Sequence, residues 1–250
     1  MRKLLFRIVP LLLVISLGLS LLLGSRAAPG PETNLDALEQ RIQGMQRRLR
    51  QLQDREAIEN LISIYGYYLD KALWDQVTDL FAEDGVIELS QRGRYLGKAR
   101  IRASLELLSP QGVQTGNLRN HIQVQPVVHI SADGKRAWSR HRAISQLGGY
   151  EAVSFLSGGV YENEYVKEDG VWKIQRDQIF TTFFTTYTDG WFTGLGPAAA
   201  VSRELPPDQP PSVVYEALPE VFVPPFHYRH PVTGQPIVRS GASGPATRAP

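Results

Sequence analysis

The sequence has no cysteine among its 250 residues. The absence of thiols excludes disulfide bonds, thiolate catalysis and cysteine-based metal sites. It is compatible with an oxidising compartment, in which a stray thiol is a liability. The histidines also lack HxH or HExxH spacing, so we do not expect a metal centre.

The chain after residue 27 also lacks a large net charge of either sign. Four of the 27 basic residues precede Ala28, and no acidic residue does. The remaining chain carries 23 basic and 25 acidic side chains, a formal charge of −2. A nucleic-acid interface needs a concentrated basic surface, so nucleic acid is not an expected partner.

Residues 1–28 combine a basic start with an apolar run from Ile8 to Leu23. Ser25-Arg26-Ala27 then places small residues at the two positions that a signal peptidase reads. The apolar run is shorter than the roughly 20 residues of a membrane-spanning helix, and Pro10 and Gly18 weaken it. We therefore expect a signal peptide and an exported, periplasmic protein. An uncleaved anchor is the alternative, and either reading confines membrane contact to this segment.

Residues 29–53 predict a linker followed by a short helix resembling a coiled coil. Residues 29–34 contain Pro and Gly, and Asn34 is a candidate N-cap. Apolar residues then alternate spacings of three and four, the a/d pattern of a coiled coil, at Leu35, Leu38, Ile42, Met45, Leu49 and Leu52. This stripe predicts contact with a second copy in a homo-oligomer, or packing onto the following domain.

Residues 54–196 predict an α+β domain in which helices precede most strands. Helices are expected from Asp54, over Leu73–Phe81 and over Arg100–Leu108, with a short strand at Val86–Leu89. Four longer strands are expected at 118–131, 135–147, 153–167 and 171–184, and Asp-Gly turns join the first and last pairs. This order predicts a cone-shaped α+β roll, with helices packed on a curved, mostly antiparallel sheet.

Residues 197–250 are rich in proline, which is excluded from helix interiors and central strands. We expect an extended tail that wraps the domain or hangs free. Val221, Phe222, Val223 and Phe226 predict that one part of the tail docks. Residues after Gly241 are expected to be disordered.

Two predicted strands each place a histidine on a distinctive face, because side chains two residues apart point the same way. The neighbours of His141 on its face are small: Ala137, Ser139 and Ala143. His121 shares its face with Gln123 and Gln125. A buried polar row without partners is costly, so these rows indicate a pocket. The alternative is that each histidine is a hydrogen-bonded structural residue.

The helix that begins the domain offers complementary groups. Tyr65 lies on its apolar stripe and Asp70 at the edge of that stripe, and Gly66 leaves a gap one turn before Asp70. A carboxylate beside a histidine is the base-and-orienter part of hydrolytic triads, but no nucleophile completes a triad here. General acid–base chemistry is what remains. Alternatively, Asp70 caps the next helix and Tyr65 is a core residue.

Four segments together resemble the SnoaL-like proteins of the nuclear transport factor 2-like superfamily, a group that includes scytalone dehydratase and bile-acid 7α-dehydratase. They are YGYYLDKALWDQVTDLFAEDGVIEL, NHIQ, WSRHRA and VYENEYVKEDGVWKI, and the resemblance covers roughly residues 54–190. The resemblance implies a catalytic aspartate at Asp70, histidines at His141 and His121, and a catalytic tyrosine at Tyr65. The chain departs from scytalone dehydratase at Leu69, where that enzyme has tyrosine, and in VIELS, which lacks its second tyrosine.

The resemblance implies a cofactor-free lyase, a dehydratase or isomerase acting on an apolar, ring-containing hydroxy-ketone. His141, oriented by Asp70, would remove a proton α to the carbonyl. His121 would assist the leaving hydroxyl, and Tyr65 would hydrogen-bond the carbonyl oxygen. The fold also hosts binders, so a non-catalytic periplasmic binder of an apolar small molecule is the alternative. A third reading is an assembly role for the lead-in helix and the tail.

Overall fold

The computed structural model describes residues 31–190 and 199–237. The expected signal segment, residues 1–28, and the residues after Gly241 lie outside these ranges, so both stay predictions. Within the described ranges, no helix is both long enough and apolar enough to cross a membrane. By its internal contacts the chain divides into Met1–Leu49 and Arg50–Pro250.

The first helix, α1, runs without a break from Pro31 to Asp70. The linker predicted for residues 29–34 and the cap predicted at Asn34 are therefore wrong where the structure describes them. Proline is favoured at a first helical position, because the amide hydrogen that it lacks would have no partner there. No glycine or proline separates Leu52 from Arg55, so the lead-in helix and the domain helix are one element.

The second unit begins in the later part of α1, and two short helices follow between residues 74 and 106. The predicted apolar stripe of α1 is buried: Ile58, Leu61, Ile62, Tyr65 and Leu69. Helix α2 spans Trp74–Asp79, and helix α3 spans Lys98–Glu106. The apolar core joins α1, α2 and α3 to the sheet, with Trp74, Phe81 and Ile101 fully enclosed.

Six strands form one open sheet in the order β2-β1-β6-β5-β4-β3. Their bounds are Phe81–Leu89 (β1), Arg94–Leu96 (β2), Asn117–Ile130 (β3), Arg136–Gly149 (β4), Ser154–Glu168 (β5) and Val171–Thr186 (β6). Among the strands that the structure describes, only the β1–β6 pair is parallel. The predicted α+β roll is confirmed. The three-residue strand β2 was not predicted.

The helix-facing side of the sheet carries the candidate site residues. Strand β4 alternates as expected, since its Ala137, Ser139, His141 and Ala143 are buried whereas Arg142 and Ile144 are exposed. The antiparallel register of β3 and β4 places His121 opposite Ser145. Ser145 is four residues from His141, which is about 13 Å along an extended strand. The two histidines therefore lie on the same face of the sheet, but they are separated along the strand direction.

The described part of the tail, residues 199–237, contains no helix or named strand and crosses the opposite side of the sheet. The Ser212 backbone N–H donates to the carboxylate of Glu88 on β1. The Tyr215 hydroxyl accepts the Thr181 N–H of β6 at 2.7 Å. Farther on, the Arg140 guanidinium of β4 lies 3.9 Å from the ring centroid of Phe226. The tail thus docks across the sheet, using Phe226 as the sequence suggested.

Candidate functional site

A pocket of about 220 Å³ lies where the C-terminal end of α1 meets strand β3. Its lining combines one carboxylate, one imidazole and several neutral polar groups: Ser63, Tyr67, Asp70, Asn120, His121, Ile122 and Gln123. The Tyr67 side chain at the rim is 71% exposed, so the pocket opens to solvent. We refer to this site as the helix-end pocket.

Asp70 and His121 are brought together at the base of this pocket. Asp70 is the last residue of α1, and its Oδ1 accepts the backbone N–H of His121. The same oxygen lies 4.0 Å from Nδ1 of the His121 imidazole. The two side chains are only 15% and 14% exposed. A carboxylate and an imidazole therefore face each other in a largely desolvated setting, at the edge of an opening to solvent.

Gly66 allows strand β3 to approach α1 this closely. A Cβ atom at residue 66 would lie 2.8 Å from Cγ of Gln123 and 2.9 Å from the carbonyl oxygen of His121. The space that Gly66 leaves beside Asp70 is therefore used as predicted, because β3 packs into it. The glycine holds Asp70 and His121 at their observed separation.

Replacing Gly66 with alanine should destabilise the protein by about 2 kcal/mol, because overpacking against backbone outweighs the roughly 1 kcal/mol gain in helix propensity. Gly44 on the same helix is the matched control, since its nearest contact is the flexible end of Arg47 at 3.9 Å. Gly44→Ala should leave stability unchanged or raise it by up to about 1 kcal/mol. Urea unfolding measures both variants. Equal effects at the two positions would contradict the close approach.

His121 is held in its neutral form. Burial lowers the pKa of its imidazole to about 4, and the positive charge of Arg119 acts in the same direction. The Nδ1 atom is buried and has no hydrogen-bond partner. At neutral pH this nitrogen is an unsatisfied polar atom beside a carboxylate, which native proteins rarely tolerate without a functional reason.

Tyr65 and His141 belong to a different group of residues, which we call the interior polar cluster. All of its members are at most 3% exposed: Tyr65, Ser139, His141, Tyr161, Asn163, Tyr165 and Asp177. The Tyr65 hydroxyl donates to Oδ2 of Asp177 at 2.9 Å, and the Asn163 amide donates to Oδ1 of Asp177 at 2.7 Å. Burial raises the pKa of the Tyr65 hydroxyl well above its usual range, and the nearby Asp177 contributes in the same direction.

His141 is packed inside this cluster. Its ring stacks on Tyr161 with centroids 4.8 Å apart, and its Nδ1 lies 3.2 Å from the hydroxyl of Ser139. Burial lowers the pKa of the His141 imidazole to about 3. The ring is therefore neutral over the whole physiological pH range. Neither His141 nor Tyr65 lines the helix-end pocket.

The expected pairing of Asp70 with His141 is therefore not the pairing observed. Asp70 contacts His121, whereas the His141 imidazole is hydrogen-bonded to the hydroxyl of Ser139. Two distances explain the difference. Asp70 lies five residues beyond Tyr65, about 7.5 Å farther along the helix axis, and His121 lies about 13 Å along the sheet from the position of His141.

The sequence reasoning missed two charged residues near these groups. Asp177 lies at the centre of the interior polar cluster, fully buried, and burial raises its pKa to about 7. Its sequence signal is weak: Asp177 is the only acidic residue of β6, and it directly follows Arg176. Arg119 precedes His121 by two residues and acts on the His121 pKa. Among the described residues, no group of three or more His, Asp or Glu side chains is arranged to hold a metal ion.

The SnoaL-like domain family matches residues 50–177, just over half of the chain. The chain therefore belongs to the SnoaL-like domain family.

Several solved structures match about half of this chain at low sequence identity. A proposed scytalone dehydratase from Novosphingobium aromaticivorans is 24% identical, with 55% of this chain and 90% of that one covered and a TM-score of 0.49. A type 2 hexachlorocyclohexane dehydrochlorinase (LinA) is 22% identical, with 56% and 92% covered and a TM-score of 0.48. A nuclear transport factor 2-like protein with a cystatin-like fold, also from Novosphingobium aromaticivorans, is 22% identical, with 62% and 92% covered and a TM-score of 0.43.

Proposed function

We propose that this protein is a cofactor-free lyase that removes water from a small, ring-containing hydroxy-ketone at the helix-end pocket. One observation carries the proposal: a neutral imidazole with an unpartnered Nδ1 lies 4.0 Å from a carboxylate in a pocket that opens to solvent. General acid–base catalysis needs a base that is unprotonated at the working pH and a group that stabilises its charged form.

His121 would act as the base. Its neutral ring would take the proton α to the substrate carbonyl, and the electron pair of that C–H bond would move onto the carbonyl oxygen as an enolate. The Asp70 carboxylate would stabilise the imidazolium that forms. The 4.0 Å separation is longer than a hydrogen bond, but such contacts commonly tighten when a substrate expels water.

The second step would return the proton. As the enolate collapses, its electrons would form the carbon–carbon double bond and the β carbon–oxygen bond would break. The His121 imidazolium would protonate the departing hydroxyl, so that water leaves and the base is restored. The products would be water and a conjugated enone. An isomerase would use the same first step and return the proton to a different carbon.

Tyr65 and His141 would then act as positioning residues. Their side chains are part of the buried hydrogen-bonded and stacked network behind the pocket wall, and His141 remains neutral. We propose that the network fixes the sheet against α1, while proton transfer takes place at His121.

A panel of cyclic β-hydroxy-ketones tests the proposal. Ring size should be limited to one or two rings, because the pocket volume is about 220 Å³. Dehydration is followed by the absorbance of the enone and by the mass lost as one water molecule. Solvent deuterium entering the α position without loss of water would indicate an isomerase. Saturable binding without either reaction, across the panel, would favour the non-catalytic binder and overturn the lyase proposal.

A further inference from the structure

The first part of α1 carries a line of large apolar side chains that are exposed. Their exposed fractions lie between 41% and 65%: Leu35, Leu38, Ile42, Met45, Leu49 and Leu52. We call these six residues the seam. Exposing a contiguous line of this kind to water is unfavourable, and such surfaces commonly mark a contact with another protein.

The seam is narrow. Between Asn34 and Gln53, all residues outside the seam are polar or charged, except Ala37 and Gly44. A helix that packs on a globular core usually has a stripe about three residues wide per heptad, whereas a strict a/d stripe is the surface of a coiled coil. The partner that this surface fits is therefore a second helix with the same repeat.

We propose that the seam pairs with the same helix of a second copy of this chain, in a parallel, in-register, two-stranded coiled coil. A second copy supplies an identical a/d repeat, and symmetric pairing of identical surfaces is the commonest mode of oligomerisation. Three heptads are marginal for an isolated helix, but here the helix is already continuous to Asp70 and buried in its later turns.

The charges beside the seam favour the parallel orientation. Assigning Leu35 to position a places Arg41 and Arg48 at g positions, and Gln46 and Gln53 at e positions. In a parallel pair, g faces the e position five residues later on the partner, so each arginine meets a glutamine. An antiparallel pair with the same overlap would place Arg41 across from Arg48, a repulsive like-charge contact repeated twice by symmetry.

The side chains of the seam favour two strands. Positions a are Leu, Ile and Leu, and positions d are Leu, Met and Leu. β-Branched residues at d favour trimers and tetramers, and here there are none at d. Ile42, at a, is a residue that a parallel dimer accepts well.

Single-cysteine variants of the full-length chain test the orientation, since the natural sequence has no cysteine. In a parallel pair the two copies of a d position face each other within disulfide range. Leu38→Cys should therefore form a disulfide-linked dimer on mild oxidation, seen on a non-reducing gel. Gln40→Cys, at the outward f position of the same heptad, is the matched control and should remain uncrosslinked.

Mixing experiments separate the other outcomes. If Leu38→Cys crosslinks to Leu49→Cys but not to itself, the helices are antiparallel and the proposal is overturned.

Light scattering measures the mass of the particle in solution, which should be twice the monomer mass for the unmodified chain. Ile42→Glu should reduce that mass to the monomer mass. Gln40→Glu, at an outward position, should leave the dimer mass unchanged. A monomeric or trimeric unmodified chain overturns the proposal. None of these measurements uses catalysis, so their failure would leave the proposed lyase activity untouched.

Discussion

Replacing His121 with glutamine should lower turnover by about 10²- to 10⁴-fold, the usual contribution of a general base. Glutamine keeps much of the side-chain volume and its polarity, so the pocket should remain folded. Because the lost interaction acts in proton transfer, kcat should fall much more than KM changes. His129→Gln is the control, since His129 lies on the same strand but contacts His227 of the tail instead of the pocket.

Asp70→Asn should lower turnover in the same direction, because the amide cannot stabilise an imidazolium by charge. The amide oxygen can still accept the His121 backbone N–H, so the end of α1 should stay attached to β3. The pH profile gives a second readout. The wild-type kcat/KM should hold its plateau down to about pH 4, since that is the pKa of His121, whereas an ordinary histidine would lose activity near pH 6.5.

A change of His141 to Gln separates the observed pairing from the one expected from the sequence. If His121 is the base, this variant should lose stability while the turnover of its folded fraction stays within about tenfold of wild type, a loss far below that of a missing base. A loss of turnover as large as that of His121→Gln, in a variant that is still folded, would restore His141 to the catalytic role. Unchanged turnover in both histidine variants would remove the acid–base mechanism altogether.

Asp177→Asn should change how stability depends on pH. Burial raises the Asp177 pKa to about 7 in the folded protein, against about 3.9 for an unfolded aspartate. Between pH 4 and pH 7 the folded protein keeps a proton that the unfolded chain releases, so Asp177 makes the free energy of unfolding fall as pH rises. The three-unit difference corresponds to roughly 4 kcal/mol across that window.

The asparagine variant lacks this slope. Relative to wild type, its free energy of unfolding should therefore rise by a few kcal/mol from pH 4 to pH 7. His121 and His141 contribute the opposite slope in both proteins, because their lowered pKa values make stability fall as pH drops below about 6.5. Taking the difference between variant and wild type cancels the histidines and isolates Asp177.

Urea unfolding at several pH values between 4 and 8 measures this difference. Asp133→Asn is the matched control, because Asp133 lies in an exposed turn where hydrogen bonds from Ser131 and Lys135 lower its pKa. Its protonation does not change between pH 5 and pH 7, so the control should differ from wild type by a constant amount. A flat difference for Asp177→Asn would mean that the carboxyl is ionised throughout.

Much of the fold could be predicted because periodicity and turns are local properties. Alternation on β4 identified the buried face of Ala137, Ser139 and His141, and the Asp-Gly turns located the ends of the long strands. Strand β2 was missed because three residues show no alternation of their own. The start of α1 was misplaced because Pro31, a breaker inside a helix, is favourable at its first turn.

The candidate site could be predicted only in part. Asp70 and His121 were both singled out by their residue type and by the faces they occupy, but the sequence assigned Asp70 to the wrong histidine. Both histidines lie on the helix-facing side of adjacent strands. The choice between them depends on how β3 is shifted against β4 and on where α1 ends over the sheet, and neither is encoded within one segment.

The sequence by itself determined most helices and the long strands of the domain, the buried faces of α1 and β4, and the pair of residue types from which an acid–base site could be built. These follow from side-chain periodicity and chemistry within each short stretch. Only the tertiary structure decided which carboxylate meets which imidazole, and that burial holds His121 neutral while raising the pKa of Asp177. Those outcomes depend on the register of neighbouring strands and on exclusion of water, which exist only after distant segments have packed together.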